Sequence, residues 1–543
     1  MDNWNNRNNN NKYIDIPKEK FEFVNTNEKL TDKKFDTKPI SYFKDALIRF
    51  RKNKASVVAT IIIILIVLFA FIVPICTSTE KAKLMDANYR QKGPRIAWLK
   101  NSIGLADGGS TTDLTKQQLI FELAKGIGAA FEEDKEVNLI KDTLDNYYQP
   151  VIKIKNVKMV SQGRKQVPSY DTRYDKYLSV GFIYQDIEQS EYQKILEWEK
   201  TTGKKVLYPL IEENEYYFGN NDDRGAANYW YKTTGKAIPV STKSGEVVKL
   251  VDDSKNSIDD IYNIQLEENY SRDADGNYKY YKNNGGGNDE TSLYRVRILY
   301  YNYYQYLNGF EPNYIMGTDS QGYDLAYRLA SGIKLSLLLA VCVSVINFVI
   351  GAIYGAVEGY YGGAVDIVLE RVSDILSGVP FIIVATLFQM HLARKVGTIP
   401  CLIFAFVVTG WIGTASRVRT QFYRFKNQEY VMAARTLGAS DRRIIWKHIF
   451  PNTLGTIITS SALVIPSVIF SESMLSFLGI VNLGGSKATS LGTLLSDASG
   501  IWTQFPHLMI FPAIIISLLM ICFNLFGNGL RDAFNPTLRG VEE

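Results

Sequence analysis

The sequence predicts an α-helical membrane protein of six transmembrane helices, with an α+β domain inserted between helices 1 and 2. Three observations predict it. One uncharged apolar segment lies at 55–76, and five more apolar stretches lie between 333 and 530. A polar, tyrosine-rich region of about 235 residues separates them, which is ample for a folded domain. The mean hydropathy of −0.09 averages over these two parts and describes neither.

Residues 1–54 read as a cytoplasmic tail and a basic interfacial helix. The first 40 residues are polar, with asparagines at Asn8–Asn11, a composition that cannot bury enough apolar surface to fold. YFKDALIRFRKNK follows as the basic helix. ASVVATIIIILIVLFAFIVPI then supplies the roughly 20 apolar residues that a membrane-crossing helix needs. It exceeds the roughly 7–15 residues of a secretory signal core and has no small-residue cleavage site, so it reads as a retained anchor.

Region 77–313 alternates helical and strand patterns. DLTKQQLIFELAKGI and EQSEYQKILEWEK read as helices; VIKIKNVKMV and SLYRVRILYY read as strands. It contains no cysteine or histidine, since Cys76, Cys342, Cys401, Cys522, His391, His448 and His507 all lie elsewhere. A disulfide framework is therefore not expected, nor a metal site. Neither Gly-x-Ser-x-Gly nor His-Glu-x-x-His occurs, which argues against a membrane-anchored hydrolase. YYFGN, NYWYK and YYNYYQYL place aromatic rings where they could form a core or a binding surface. A receptor domain of a membrane sensor is a further reading, but the tails are too short for a signalling domain.

The remaining spans are read at 333–357, 372–391, 399–416, 455–478 and 507–530. Pro380, Gly410, Pro466 and Pro512 suit membrane helices, where both residue types are common. Lys44, Arg49, Arg51, Lys52 and Lys54 precede the first span. Arg417, Arg419, Arg424, Lys426, Arg435, Arg442, Arg443 and Lys447 follow the fourth, and Arg531 and Arg539 follow the sixth. The short loop before span six has only Lys487; Arg394 and Lys395 are a minor exception. The positive-inside rule then makes both termini cytoplasmic and 77–313 extracellular. Asp374 and Glu472 are the ionisable residues inside spans, a placement that is costly and often functional; each is expected to face a neighbouring helix or a span end. The net charge of +5 is small and argues against a nucleic-acid binder.

The most informative stretch is EYVMAARTLGASDRRIIWKHIFPN. It reads as two short helices, the first ended by Gly438, which takes positive φ freely. Ser440 is placed to N-cap the second, with Asp441 at its positive end. Pro451 is expected just beyond its C-terminus. Such an element could lie on anionic lipid or form a socket, where the small residues Ala433, Ala434 and Gly438 let a partner approach closely.

The segment resembles the EAA loop of ABC importer permeases, through Glu429, Ala433, Ala434 and Gly438. ARTLGAS and HIFPN resemble the peptide/nickel branch. GTDSQGYDLAYRLASGIKLSL, EGYYGGAVDIVLERVSDILSGVP, SESMLSFLGI and LFGNGLRDAFNPTLR resemble further segments of its C-type subunit, in the same order. The resemblance covers the first span and nearly all of 314–539. It implies the type I ABC importer fold for a permease core at 314–535 and a short tail at 536–543. It implies ATPase coupling through a loop at 429–451, with Glu429, Ala433, Ala434, Gly438, Ser440, Asp441, Arg442 and Arg443 in the seat. The implied partners are a second homologous permease, two ABC ATPase subunits, an extracellular substrate-binding lipoprotein, a peptide substrate and membrane lipid; nickel or another small solute is the alternative cargo. No Gly-x-x-x-x-Gly-Lys-[Ser/Thr] loop occurs, so ATP and Mg are expected on the ATPase partners, and no cofactor, metal or catalytic residue is expected in this chain. Tyr323 departs from the family's arginine, and 77–313 departs from its short loop.

Overall fold

The computed structural model describes residues 42–77, 81, 84–96, 106–133, 148–162, 165–212, 227–230, 269–284, 293–483 and 489–534. The expected N-terminal tail, YYFGN, Lys487, Arg539 and 536–543 lie outside them.

The basic segment forms helix α1 (Tyr42–Lys52), and α2 (Lys54–Cys76) is the first span. The Asn53 side chain accepts from Ser56 N–H at 3.2 Å and so caps α2. Ala46 and Phe50 of α1 are buried against Ala533 and Phe526 of the C-terminal span, while Leu47 and Ile48 stay exposed. The Ser56 hydroxyl donates to the Leu525 carbonyl at 2.9 Å. Both N-terminal helices are therefore moored to the C-terminal one.

Between Gly109 and Asn308 the chain builds two antiparallel sheets. One has the order β1 (Gly109–Thr115), β3 (Lys165–Asp175), β2 (Val151–Gln162). The other runs β4 (Phe182–Glu188), β7 (Leu293–Leu299), β5 (Leu207–Tyr208), with β6 (Tyr281–Asn283) also on β7. Helices α3 (Lys116–Ala129), α4 (Gln189–Thr202) and α5 (Tyr300–Asn308) accompany them. Thr115 and Gln118 close a capping box on α3, satisfying otherwise orphan N–H groups. The tyrosines turn inward: the Tyr89 ring lies 5.2 Å from each of Tyr177, Tyr300 and Tyr304. Arg95 and Asp175, both almost fully buried, pair at 3.0 Å.

This region is seated on the segment that leads into the next span. Arg95 N–H donates to the Tyr314 carbonyl at 2.7 Å, Gln91 N–H to Asp319 at 3.0 Å, and Thr318 N–H to Lys92 at 3.0 Å. Gly317 and Gly322 hold φ of +85° and +96°, and a Cβ on either would meet the Lys92 or Asp86 carbonyl oxygen within 2.3 Å. Asp324 caps the following helix through Ala326 N–H at 2.9 Å. Tyr323, the departure from the family pattern, lies under the Arg328 guanidinium at 5.1 Å, and Arg328 pairs with Asp319 at 3.2 Å.

Helix α6 (Leu325–Tyr361) is 37 residues long and starts eight residues earlier than the hydropathy indicates. Gly351, Gly355 and Gly359 lie one turn apart on it. A Cβ there would sit 2.8, 2.2 and 2.8 Å from the carbonyl oxygens of Trp411, Ala415 and Arg419. The glycines let α6 close onto α9 (Thr398–Phe425), the small-residue packing that serves where lipid removes the hydrophobic drive. The expected single span at 372–391 is instead two helices, α7 (Gly363–Ser377) and α8 (Phe381–His391). Gly378 N–H closes α7 on the Asp374 carbonyl, and Pro380 has no N–H with which to continue. Among the described residues five helices are long and apolar enough to cross a membrane, and α8 is a shorter apolar one.

After α10 (Glu429–Thr436), α11 runs from Asp441 to Phe477, and α13 (Pro506–Phe534) is the last span. Between them lies α12 (Leu491–Ser499), a largely buried helix in what reads in sequence as a short loop.

Candidate functional site

The 429–449 segment folds as a helix, a tight turn and a second helix. The turn is a Schellman motif: Ala439 N–H donates to the Ala434 carbonyl and Gly438 N–H to Arg435, each at 3.0 Å, satisfying carbonyls that the helix end leaves open. Gly438 has φ +78°, with nothing within 4 Å of where a Cβ would stand. The glycine is thus required by the backbone, and the space beside it is open.

The loop has two unlike faces. Val431 is buried against Ile444, Ile445, Ile449, Val418 and Phe422, and Ala434, one turn along, is buried as well. Outward stand Tyr430, Met432, Ala433 and Trp446, with Leu437 87% exposed at the apex. Leucine at that exposure gains nothing from the chain's own fold. Arg442 and Arg443 are exposed beside it.

Ser440 has N-cap backbone angles, but its hydroxyl makes no capping bond. Asp441 is fixed instead by the Tyr360 hydroxyl, which donates to Oδ1 at 2.5 Å. This ties the second helix of the loop to the end of α6. The expected stop at Pro451 does not occur. Residues Ile444–Ile449 widen into a π-helix, with Phe450 N–H on the Ile445 carbonyl, and Pro451 falls in the first turn of the continuing helix. Asn452 Nδ2 donates to the His448 carbonyl at 2.8 Å.

A second cluster braces the loop from behind. Arg419 meets Asp366 in a bidentate pair at 2.6 and 2.8 Å, Glu370 at 2.8 and 3.0 Å, and Glu358 at 3.6 Å. Tyr423 donates to Asp366 at 2.6 Å, and Lys426 to the Gly359 carbonyl at 3.0 Å. One guanidinium therefore fastens α6, α7 and α9 together, the bidentate recognition for which arginine is suited.

Residues 347–540 match the family model of the binding-protein-dependent transport system inner membrane component. Residues 41–94 match that of the N-terminal transmembrane domain of oligopeptide transport permease C. The chain is 39% identical over 225 residues to the oligopeptide transport system permease protein OppC of Bacillus subtilis, covering 41% of this chain and 72% of that one. It is 43% identical over 230 residues to the dipeptide transport system permease protein DppC of Bacillus subtilis (41% and 68%). With OppC of Escherichia coli K12 it shares 40% over 228 residues (42% and 73%). The chain belongs to the oligopeptide/dipeptide ABC permeases, among their C-type subunits. A solved MetNI methionine ABC transporter in an inward-facing form is also similar, at 17% identity and TM-score 0.33, over 38% of this chain and 97% of that one.

The permease is thus a multi-pass, helical transport subunit. Its two matched segments leave 95–346 between them, and the first reaches past α2 into the strip that seats the α+β region. The structure brings Glu429, Ala433, Ala434, Gly438, Ser440, Asp441, Arg442 and Arg443 onto one turn-linked element. Glu429 is exposed in the first turn of α10. Sequence reasoning counted Arg419 only as a topology charge; Asp366 and Glu370, four apart on α7, were the available signal for a partner. Asp374 is exposed and pairs with Arg371 at 3.1 Å. Glu472 is buried on α11.

Proposed function

We propose that this permease forms half of the pore of an ATP-driven importer that moves peptides into the cytoplasm, and that its 429–451 loop seats a separate ATPase subunit. The observation that carries this reading is the two-faced loop. Its inner face is packed by Val431 and Ala434, while Leu437 and the open side of Gly438 offer an apolar knob with no partner among the described residues. An apolar apex rimmed by Arg442 and Arg443 fits a cleft with an acidic margin.

In this reading a homologous permease supplies the other half of the pore, two ATPase subunits carry ATP and Mg, and a lipoprotein outside the cell delivers the peptide. The broken α7–α8 pair serves as the third of six spans, both termini are cytoplasmic, and the 77–313 region is extracellular. The basic residues at 44–54 and 417–447 support that orientation. Force enters at Leu437 and Gly438 and leaves by two routes: along α11, and through Asp441–Tyr360 into α6. The Arg419 cluster keeps α6, α7 and α9 moving as one body, a rigid-body switch.

Co-purification of the tagged chain in mild detergent tests this. Two P-loop ATPases and a second permease are expected with it. Isolation of the chain alone, with no ATPase cross-linked in the membrane, would overturn the coupling assignment.

A further inference from the structure

Glu472 is one charge that the proposed mechanism does not use. The residue is 1% exposed. Ser336 of α6 donates to one oxygen at 2.8 Å, and Ser476, one turn along α11, donates to the other at 3.0 Å. Ser490 is the N-cap of α12, and its oxygen accepts from Thr493 N–H at 3.2 Å. A carboxylate accepts at several lone-pair positions, so this one side chain links α6 to α11.

Glycines press α12 against both of these helices. A Cβ on Gly492, at the start of α12, would meet the Ser473 carbonyl oxygen at 2.3 Å, and one on Gly332 of α6 would stand 3.3 Å from Leu491 N. The first turn of α12 is therefore wedged between α6 and α11 at the level of Glu472. The other end of α11 is Asp441, in the coupling loop. Asp441 and Glu472 lie on one helical run, roughly 45 Å apart at 1.5 Å per residue, which widens at 444–449 and is interrupted at Leu463.

We propose that Glu472 is a positioning residue that transmits movement of the coupling loop to α12 and the far end of the pore. α11 carries the movement, the carboxylate with Ser336 makes α6 follow it, and the first turn of α12, wedged between the two at Gly492 and Gly332, follows them. A rigid element whose position both ends bias is the physical basis of such coupling. The inference rests on reading 429–451 as the ATPase seat.

The test uses the full complex, with the four native cysteines replaced by alanine and a reporter Ser499→Cys at the exposed end of α12. Labelling by a membrane-impermeant maleimide is followed without nucleotide and after vanadate trapping with ATP. The labelling rate is expected to differ between the two states in the parent, and Glu472→Ala is expected to abolish that difference while ATPase subunits remain bound and hydrolysis continues. Glu472→Gln, which keeps an acceptor, is expected to retain part of it. Ser336→Ala removes the hydroxyl from α6 and decides the matter if Glu472→Ala does not assemble; it is expected to shrink the difference. An undiminished difference in these variants would overturn the proposal, as would loss of hydrolysis in step with it. A parent complex that carries no ATPase would overturn the proposed function itself.

Discussion

The 429–449 loop and the 84–313 region treat their apolar surface in opposite ways. The loop buries Val431 and Ala434 but leaves Leu437 almost bare. The α+β region turns its aromatic residues inward: Tyr89, Tyr177 and Tyr304 form a closed cluster, and even its charges pair inside, as Arg95 does with Asp175. Among the described residues the first surface leaves its apex leucine uncovered, while the second buries most of its tyrosines. Tyrosine content alone therefore does not mark an exposed surface.

The comparison breaks most sharply at Gly438. Gly438→Val forces a β-branched residue to φ +78°, at a cost of about 1–2 kcal/mol for the left-handed conformation. No neighbour is struck, so the protein should insert and lose no more stability than this backbone cost, while peptide uptake is lost. Normal uptake by this variant would end the coupling assignment. In the self-contained region the largest effect is on stability. Asp175→Ala leaves Arg95 buried without its carboxylate and should cost about 3–5 kcal/mol, read as an earlier thermal transition; an unchanged transition would mean that the pair is not closed. Leu437→Asp is smaller again. Stability should stay within about 0.5 kcal/mol, as for other surface changes, while less ATPase co-purifies. Equal recovery of ATPase would place the seat elsewhere.

Much of this contrast was legible in the sequence where local chemistry decides. The helices around 116–129 and 189–202 and the strands at 151–162 and 293–299 follow from periodicity and their flanking turns. Gly438 declared its positive φ because a glycine followed a helix-forming run. The break between α7 and α8 was hidden, because hydropathy continues across Gly378 and Val379 and takes no account of the N–H that Pro380 lacks. Pro451 misled in the opposite sense: the π-stretch before it places the proline in the first turn of the continuing helix, where its missing N–H is tolerated, so the helix goes on. Arg419 could be counted but not placed, since Asp366 and Glu370 come from about fifty residues away. Buried α12 was missed because its burial is created by α6 and α11, not by its own pattern.

The smallest effect sharpens the comparison at the seam where the α+β region meets the core. Burial, with Lys176 and Lys125 nearby, lowers the Lys92 amine to about 8, against the pull of Asp175 and Glu122. In the unfolded chain it titrates near about 10.4. Between pH 8 and 10 the unfolded state then binds more protons than the folded one, so stability rises with pH. Lys176, also lowered by burial, adds to this slope. Above about pH 10 the sign reverses, because buried Tyr89 and Tyr177 keep their protons when unfolded tyrosines lose theirs. Thermal midpoints of the whole chain in detergent should therefore climb from pH 8 towards pH 10 and then fall. Lys92→Met should flatten the climb and leave the fall. An unaltered climb would mean that Lys92 is solvated and that the seam is open to water, unlike the aromatic core it adjoins.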